Sequence, residues 1–208
     1  MPSASPELKA FAWPNRAIWQ AFVKCGAWLT PEWVIVYVGA DWIAGLHSYR
    51  VPLESVVDRQ IPFVPQASIV YLSLFPMLWL APFRLQTPGE LRRFAAALGW
   101  LIAISGVGFL VLPSQAVRST PGVSGISGPI FQFADWVNLS FNYLPSLHVG
   151  MAVVCARVYS RLASPMLTAG FWLWAVAIAI STLLTHQHFI IDVGIGAACG
   201  MIAVKYGT

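Results

Sequence analysis

Polar residues are sparse along this chain, and they fall at a few breaks between long apolar stretches. Residues 15–29, NRAIWQAFVKCGAWL, place Arg16, Gln20 and Lys24 four apart, opposite Ile18, Trp19, Phe22 and Val23. This pattern predicts an amphipathic helix lying in a membrane interface. Thr30-Pro31-Glu32 reads as a helix start and opens a first apolar span over about 31–48. A second span covers about 65–83, with a kink expected at Pro76. Thr87-Pro88-Gly89-Glu90 has the form of a capping box and leads into the cleanest span, Phe94 to Leu112, which carries no charge. A loop over 113–145 comes next, with PIFQFADWVNLSF as a short interfacial helix inside it. A fourth span starts near Ser146 and ends near Leu162, a fifth covers about 165–185 behind Ser164-Pro165, and a sixth runs from about His188 to Lys205.

Composition turns these stretches into a class. The chain of 208 residues is 58% hydrophobic and 10% charged, against about 25% charged residues in a soluble domain. The expected fold is therefore all-α: a polytopic membrane protein, a six-transmembrane-helix bundle with an N-terminal interfacial amphipathic helix over 1–29. All of 1–208 reads as a single membrane-embedded domain. A six-span arrangement puts nine basic residues on the side of the termini: Lys9, Arg16, Lys24, Arg84, Arg92, Arg93, Arg157, Arg161 and Lys205. It leaves three, Arg50, Arg59 and Arg118, on the other. The positive-inside rule then places the termini in the cytoplasm. A bacterial cytoplasmic membrane is the expected location. No basic stripe points to nucleic acid. Cys25, Cys155 and Cys199 lack metal-type spacing and read as packed thiols. The start of the chain does not read as a removable signal peptide.

Three of the four histidines fall in two places, both at the outer ends of spans. His148 comes after Pro145 and Ser146 at the start of the fourth span, and His186, His188 and Asp192 open the sixth. Ionisable groups at membrane depth are costly and point to function. Ser146 can cap a helix whose free amides at Leu147 and His148 make an anion site, and Arg59 adds a cation suited to phosphate oxygens. Asp192, four residues after His188, is expected on the same helix face, where its carboxylate orients the imidazole as a nucleophile. His148 would supply a proton to the leaving oxygen. The chemistry so assembled is phosphoryl transfer through a phosphohistidine, with no cofactor and no metal. Other readings stay open for single residues. His186 with His188 and Asp192 could hold zinc, Arg59 could face lipid phosphates, and Asp41 could bond within the bundle or support the site. Gly196 to Gly200 forms a GxxxG, a close-packing signal.

The two histidine stretches resemble the type 2 phosphatidic acid phosphatase superfamily. Its members carry Pro-Ser-x-His, here Pro145-Ser146-Leu147-His148. They also carry Ser-Arg, five residues, His, three residues, Asp, here Ser181-Thr182, then His188, then Asp192. The resemblance implies a six-helix bundle with its site on the outer face. It makes His188 the nucleophile, Asp192 its support and His148 the acid. Thr182 stands where the family has arginine. The early Lys-six-residues-Arg-Pro element is absent, with Asp58-Arg59-Gln60-Ile61-Pro62 in its place. Leu147 and the run from Thr185 to Asp192 look more like the branch containing inositol phosphorylceramide synthases. The implied activity is a lipid phosphatase or a phospho-head-group transferase. Its substrate would be a membrane lipid phosphate or phosphodiester lipid, with a lipid alcohol as acceptor in the transfer case. A transporter using these groups as a relay, or an inactive scaffold of the same bundle type, is the alternative.

Overall fold

The computed structural model describes residues 11–115, 123, 125 and 127–207. Lys9 and Arg118, two members of the charge count, lie outside the described residues. Among the described residues the chain is all-helical, and its one β-type contact is an isolated bridge between Val51 and Ser114.

The first helical run corrects the sequence expectation. α1 (Arg16–Trp33) passes through Pro31 and continues as a π-helical turn (Val34–Val38) into α2 (Gly39–Gly45). The predicted interfacial helix and first span are thus one element, and Thr30-Pro31-Glu32 is interior to it. Its true start is Asn15, whose side chain accepts the Ile18 N–H at 3.0 Å. Proline removes one backbone donor within the run. The wider π turn begins three residues later, where such bulges are tolerated.

The second apolar stretch is bent rather than straight: α3 (Ser68–Leu72), α4 (Leu74–Trp79) and α5 (Ala81–Arg84) break at Ser73 and Leu80. Pro76 and Pro82 each lack the N–H that would close the preceding turn. α6 (Pro88–Val111) begins with the predicted capping box, complete in both directions between Thr87 and Glu90. α7 (Ser127–Val137) lies inside the expected loop. α8 (Leu147–Tyr159) is capped by Ser146 and α9 (Pro165–Leu184) by Ser164, while α10 (Ile190–Gly207) closes the bundle.

α6, α9 and α10 have the length and apolar composition to cross a membrane, and α8 is a shorter apolar helix. α8 and α10 pack at backbone distance. A Cβ on Gly196 would stand 2.4 Å from the Ser146 carbonyl, and one on Gly200 2.6 Å from the Gly150 carbonyl. The GxxxG is therefore a helix-packing surface. The bundle's outside is also apolar, with Ile35, Trp42, Val107, Leu173, Val176 and Ile202 exposed. Apolar inside and apolar outside is the signature of a chain whose solvent is lipid. This is an integral membrane protein.

Candidate active site

Three short signals converge at one end of α8 and α10. Ser146 is the N-cap of α8, its Oγ accepting the Val149 N–H at 3.4 Å. The first amides of α8, at Leu147 and His148, have no acceptor within the helix itself. The Ser146 N–H in turn donates to the Asp192 carbonyl at 3.1 Å, so the segment carrying His148 is tied directly to the one carrying Asp192.

His188 is not on α10, which begins two residues later. The shared-face expectation is corrected in its mechanism but not in its outcome. Asp192 Oδ2 accepts the Phe189 N–H at 2.9 Å, capping the helix start, and lies 3.3 Å from His188 Nδ1. One carboxylate oxygen thus fixes both the turn and the imidazole. Both residues are buried, a setting in which such a pair holds the ring in one tautomer, with Nδ1–H towards the carboxylate. Among the described residues Asp192 Oδ1 has no hydrogen-bond partner.

The loop before α10 is held from several sides. The Thr182 carbonyl accepts the N–H groups of Gln187 and His188 at 3.0 and 3.2 Å. The Thr182 hydroxyl bonds the Ala179 carbonyl instead of facing the histidines. His186 adopts a left-handed φ of 56° and places Nε2 3.1 Å from the Ile61 carbonyl, with its ring beside Phe63. Among the described residues no three histidine, cysteine or acidic side chains are grouped so as to hold a metal.

His148 occupies the second position of α8. Its ring stacks on Tyr71 of α3, centroids 4.1 Å apart, and its Nδ1 lies 3.2 Å from the Tyr71 hydroxyl. Among the described residues His148 Nε2 has no hydrogen-bond partner. His148 and His188 line one cavity of about 510 Å³. Its remaining wall is mostly apolar: Leu29 and Trp33 of α1, Leu74, Phe75 and Leu78 of α4, and Leu98 and Ile102 of α6.

Two stretches carry the resemblance, and a match over most of the chain decides it: residues 48–206 fit the model of the PAP2 superfamily. The chain belongs to the PAP2 superfamily. Within this PAP2 chain the matched residues include both histidine stretches and the apolar helices that support them. The fold is shared with a solved structure, the crystal structure of Aquifex aeolicus LpxE. That match has 17% identity and a TM-score of 0.51, over 82% of this chain and 93% of that one. Comparison with curated protein sequences gave no match.

Two other sequence candidates, Asp41 and Arg59, lie outside the histidine stretches. Asp41 accepts the Phe141 N–H at 2.7 Å and so joins α2 to the segment leading into α8. The Arg59 side chain is 68% exposed and its Nε lies 3.3 Å from Glu54. Its neighbour Asp58 is buried and accepts the Ile190 N–H at 2.9 Å, a second anchor for the start of α10. Sequence reasoning passed over Asp58, Tyr71 and Gln187. Gln187 accepts from Asn138 and donates to Asp135 of α7 at 3.0 Å. Each acts across a long sequence separation, and no local pattern announces it.

Proposed function

We propose that this PAP2 superfamily member is a membrane lipid phosphatase or phospho-head-group transferase working through a phosphohistidine at His188. The observation that carries the reading is the single cavity lined by both His148 and His188, with His188 Nδ1 held against Asp192. An apolar wall beside two imidazoles suits a substrate with acyl chains at one end and a phosphate at the other.

In the first half-reaction the His188 Nε2 lone pair attacks phosphorus, forming an N–P bond as the P–O bond to the lipid breaks. His148, entering as the imidazolium, gives its Nε2 proton to the departing oxygen and is left as the neutral imidazole. The Tyr71 hydroxyl oxygen, 3.2 Å from His148 Nδ1, accepts the Nδ1–H and so leaves Nε2 as the nitrogen that releases and recovers the proton. In the second half, water or a lipid alcohol attacks phosphorus and returns a proton to His148 Nε2, and the N–P electrons go back to His188. The Leu147 and His148 amides, at the positive end of α8, receive the phosphate oxygens, as does the Ser146 region. Arg59 remains a candidate phosphate ligand because Asp58 beside it is bonded to the start of α10. Thr182 and Asp41 serve as positioning residues, through a carbonyl and a carboxylate. His186 is accessory to the loop fold.

Counting the run Arg16–Gly45 and the bent run Ser68–Arg84 as crossings, with α6, α8, α9 and α10, gives six. The arginines near α5, α6 and the end of α8 support a cytoplasmic side opposite the histidines. A bacterial cytoplasmic membrane is the proposed setting.

The test uses purified full-length chain in detergent with lipid phosphomonoesters and phosphodiester lipids, with and without chelator. Activity that survives chelator, disappears in His188→Ala and leaves an acid-labile phosphoprotein in quenched wild type is the expected result. Full activity in a folded His188→Ala, or loss to chelator, overturns the mechanism. The product, free phosphate or a new lipid, separates hydrolysis from transfer.

A further inference from the structure

A second cavity, of about 440 Å³, lies at the far end of α8 from His148. On α8 the histidine cavity is lined as far as Met151 and this one from Val158, seven residues or about 10 Å farther along the axis. Arg84, Arg93 and Arg161 line this cavity together with one carboxylate, Glu90. Its lining therefore carries an excess of positive charge in a concave space, and the catalytic reading uses none of it.

The arginines are not equivalent. Arg84 is 2% exposed and fixed, its Nε donating to the Tyr159 carbonyl at 3.0 Å and its Nη2 to the Arg161 carbonyl at 2.8 Å. It closes the end of α8 and forms a rigid cationic floor. Arg93 and Arg161 are exposed and stand at the rim. Glu90 is engaged in the capping box, accepting the N–H groups of Gln86 and Thr87. The positive end of α6 begins at the same place. Partial loss of solvent at the rim lowers the Arg161 guanidinium from its ordinary range, and the charges of Arg157 and Arg93 press it lower still. Cations gathered so closely are relieved by a bound anion, and the planar guanidinium fork matches phosphate oxygens.

We propose that this pocket binds a phosphate-bearing anion at a site separate from the histidine centre, with Arg93 and Arg161 as its clamp and Arg84 as its floor. The ligand is either the head group of an anionic phospholipid in the adjoining leaflet or a soluble phosphate. The proposal is independent of the chemistry assigned to His188.

Thermal unfolding of the full-length protein tests it in two arms. One arm titrates inorganic phosphate in neutral detergent. The other compares nanodiscs of phosphatidylcholine with nanodiscs containing phosphatidylglycerol. Arg93→Gln/Arg161→Gln is the test variant, since both side chains are exposed. Arg16→Gln/Lys24→Gln makes the same charge change on exposed residues of α1 and is the control.

Stabilisation of wild type and control, weakened at least fivefold in apparent affinity in the test variant, is the expected result. If phosphatidylglycerol alone produces it, the ligand is a lipid head group. If inorganic phosphate produces it, the ligand is soluble. Equal stabilisation of the test variant, an equal loss in the control, or no stabilisation by either probe overturns the proposal.

Discussion

Tyr71 and His148 meet through a stacked ring pair and a hydroxyl-to-nitrogen contact, and substitution separates the two. Tyr71→Phe keeps the stack and removes the hydroxyl. A hydrogen bond of about 0.5–1.5 kcal/mol corresponds to a loss of about 2- to 12-fold in rate. The loss should appear in kcat on lipids with poor leaving groups and shrink on an aryl phosphate, whose leaving oxygen needs no proton. His148→Gln should cost about 10²- to 10⁴-fold with the same leaving-group dependence. An equal loss on both substrates would assign Tyr71 a purely structural role. At this scale the sequence was informative wherever a signal is local. Ser146 caps α8 and Ser164 caps α9 as their spacing predicts. It was silent on Tyr71, 77 residues from His148, and on Asp58, 132 residues from Ile190.

Elements set the spacing between the two histidines. α8 and α10 touch where Gly196 faces the Ser146 carbonyl, and a methyl group there has no room. Gly196→Ala should push the Ser146 segment away from Asp192, costing about 1–3 kcal/mol of stability and a larger share of activity. Gly194→Ala, two residues earlier with nothing within 4 Å of its Cβ position, should be close to neutral. Measuring Tm and kcat for the pair checks this, and a harmless Gly196→Ala would mean that the helices can separate freely. Helix boundaries were legible where a cap and a proline coincide, as at Thr87-Pro88 and Ser164-Pro165. The same type of signal misled at Thr30-Pro31, because the run continues through a π turn and Pro31 sits inside it. The start of α10 was misplaced for another reason. Asp192 takes the Phe189 N–H as a cap, so the helix waits until Ile190 and His188 stands before it.

At the scale of the whole molecule, the helices differ in reach. α6 has 24 residues, α9 20 and α10 18, or about 36, 30 and 27 Å. α8, with 13 residues, covers about 20 Å of a hydrocarbon core about 30 Å thick. Its histidine end thus lies recessed among longer neighbours, roofed by the segment that Asp41, Asn138 and Asn142 bond to the first helical run. The all-helical, apolar character was readable from hydropathy, but the recess was not, because it depends on where Ser146 stops α8 relative to its neighbours.

On the proposed mechanism, the shared cavity also governs the fate of the phosphohistidine. His188 and Asp192 are buried, so whatever resolves the intermediate enters the same apolar-walled space that held the first lipid. Water and a second lipid then compete for one vacated seat. The identity of the product becomes a matter of occupancy. A sparse lipid alcohol should leave the seat to water and release free phosphate, while a crowded one should capture the phosphoryl group. Raising the mole fraction of a lipid alcohol in mixed micelles should shift the product ratio while the total turnover of the first lipid stays level. A ratio that ignores the mole fraction would mean that water has a route of its own.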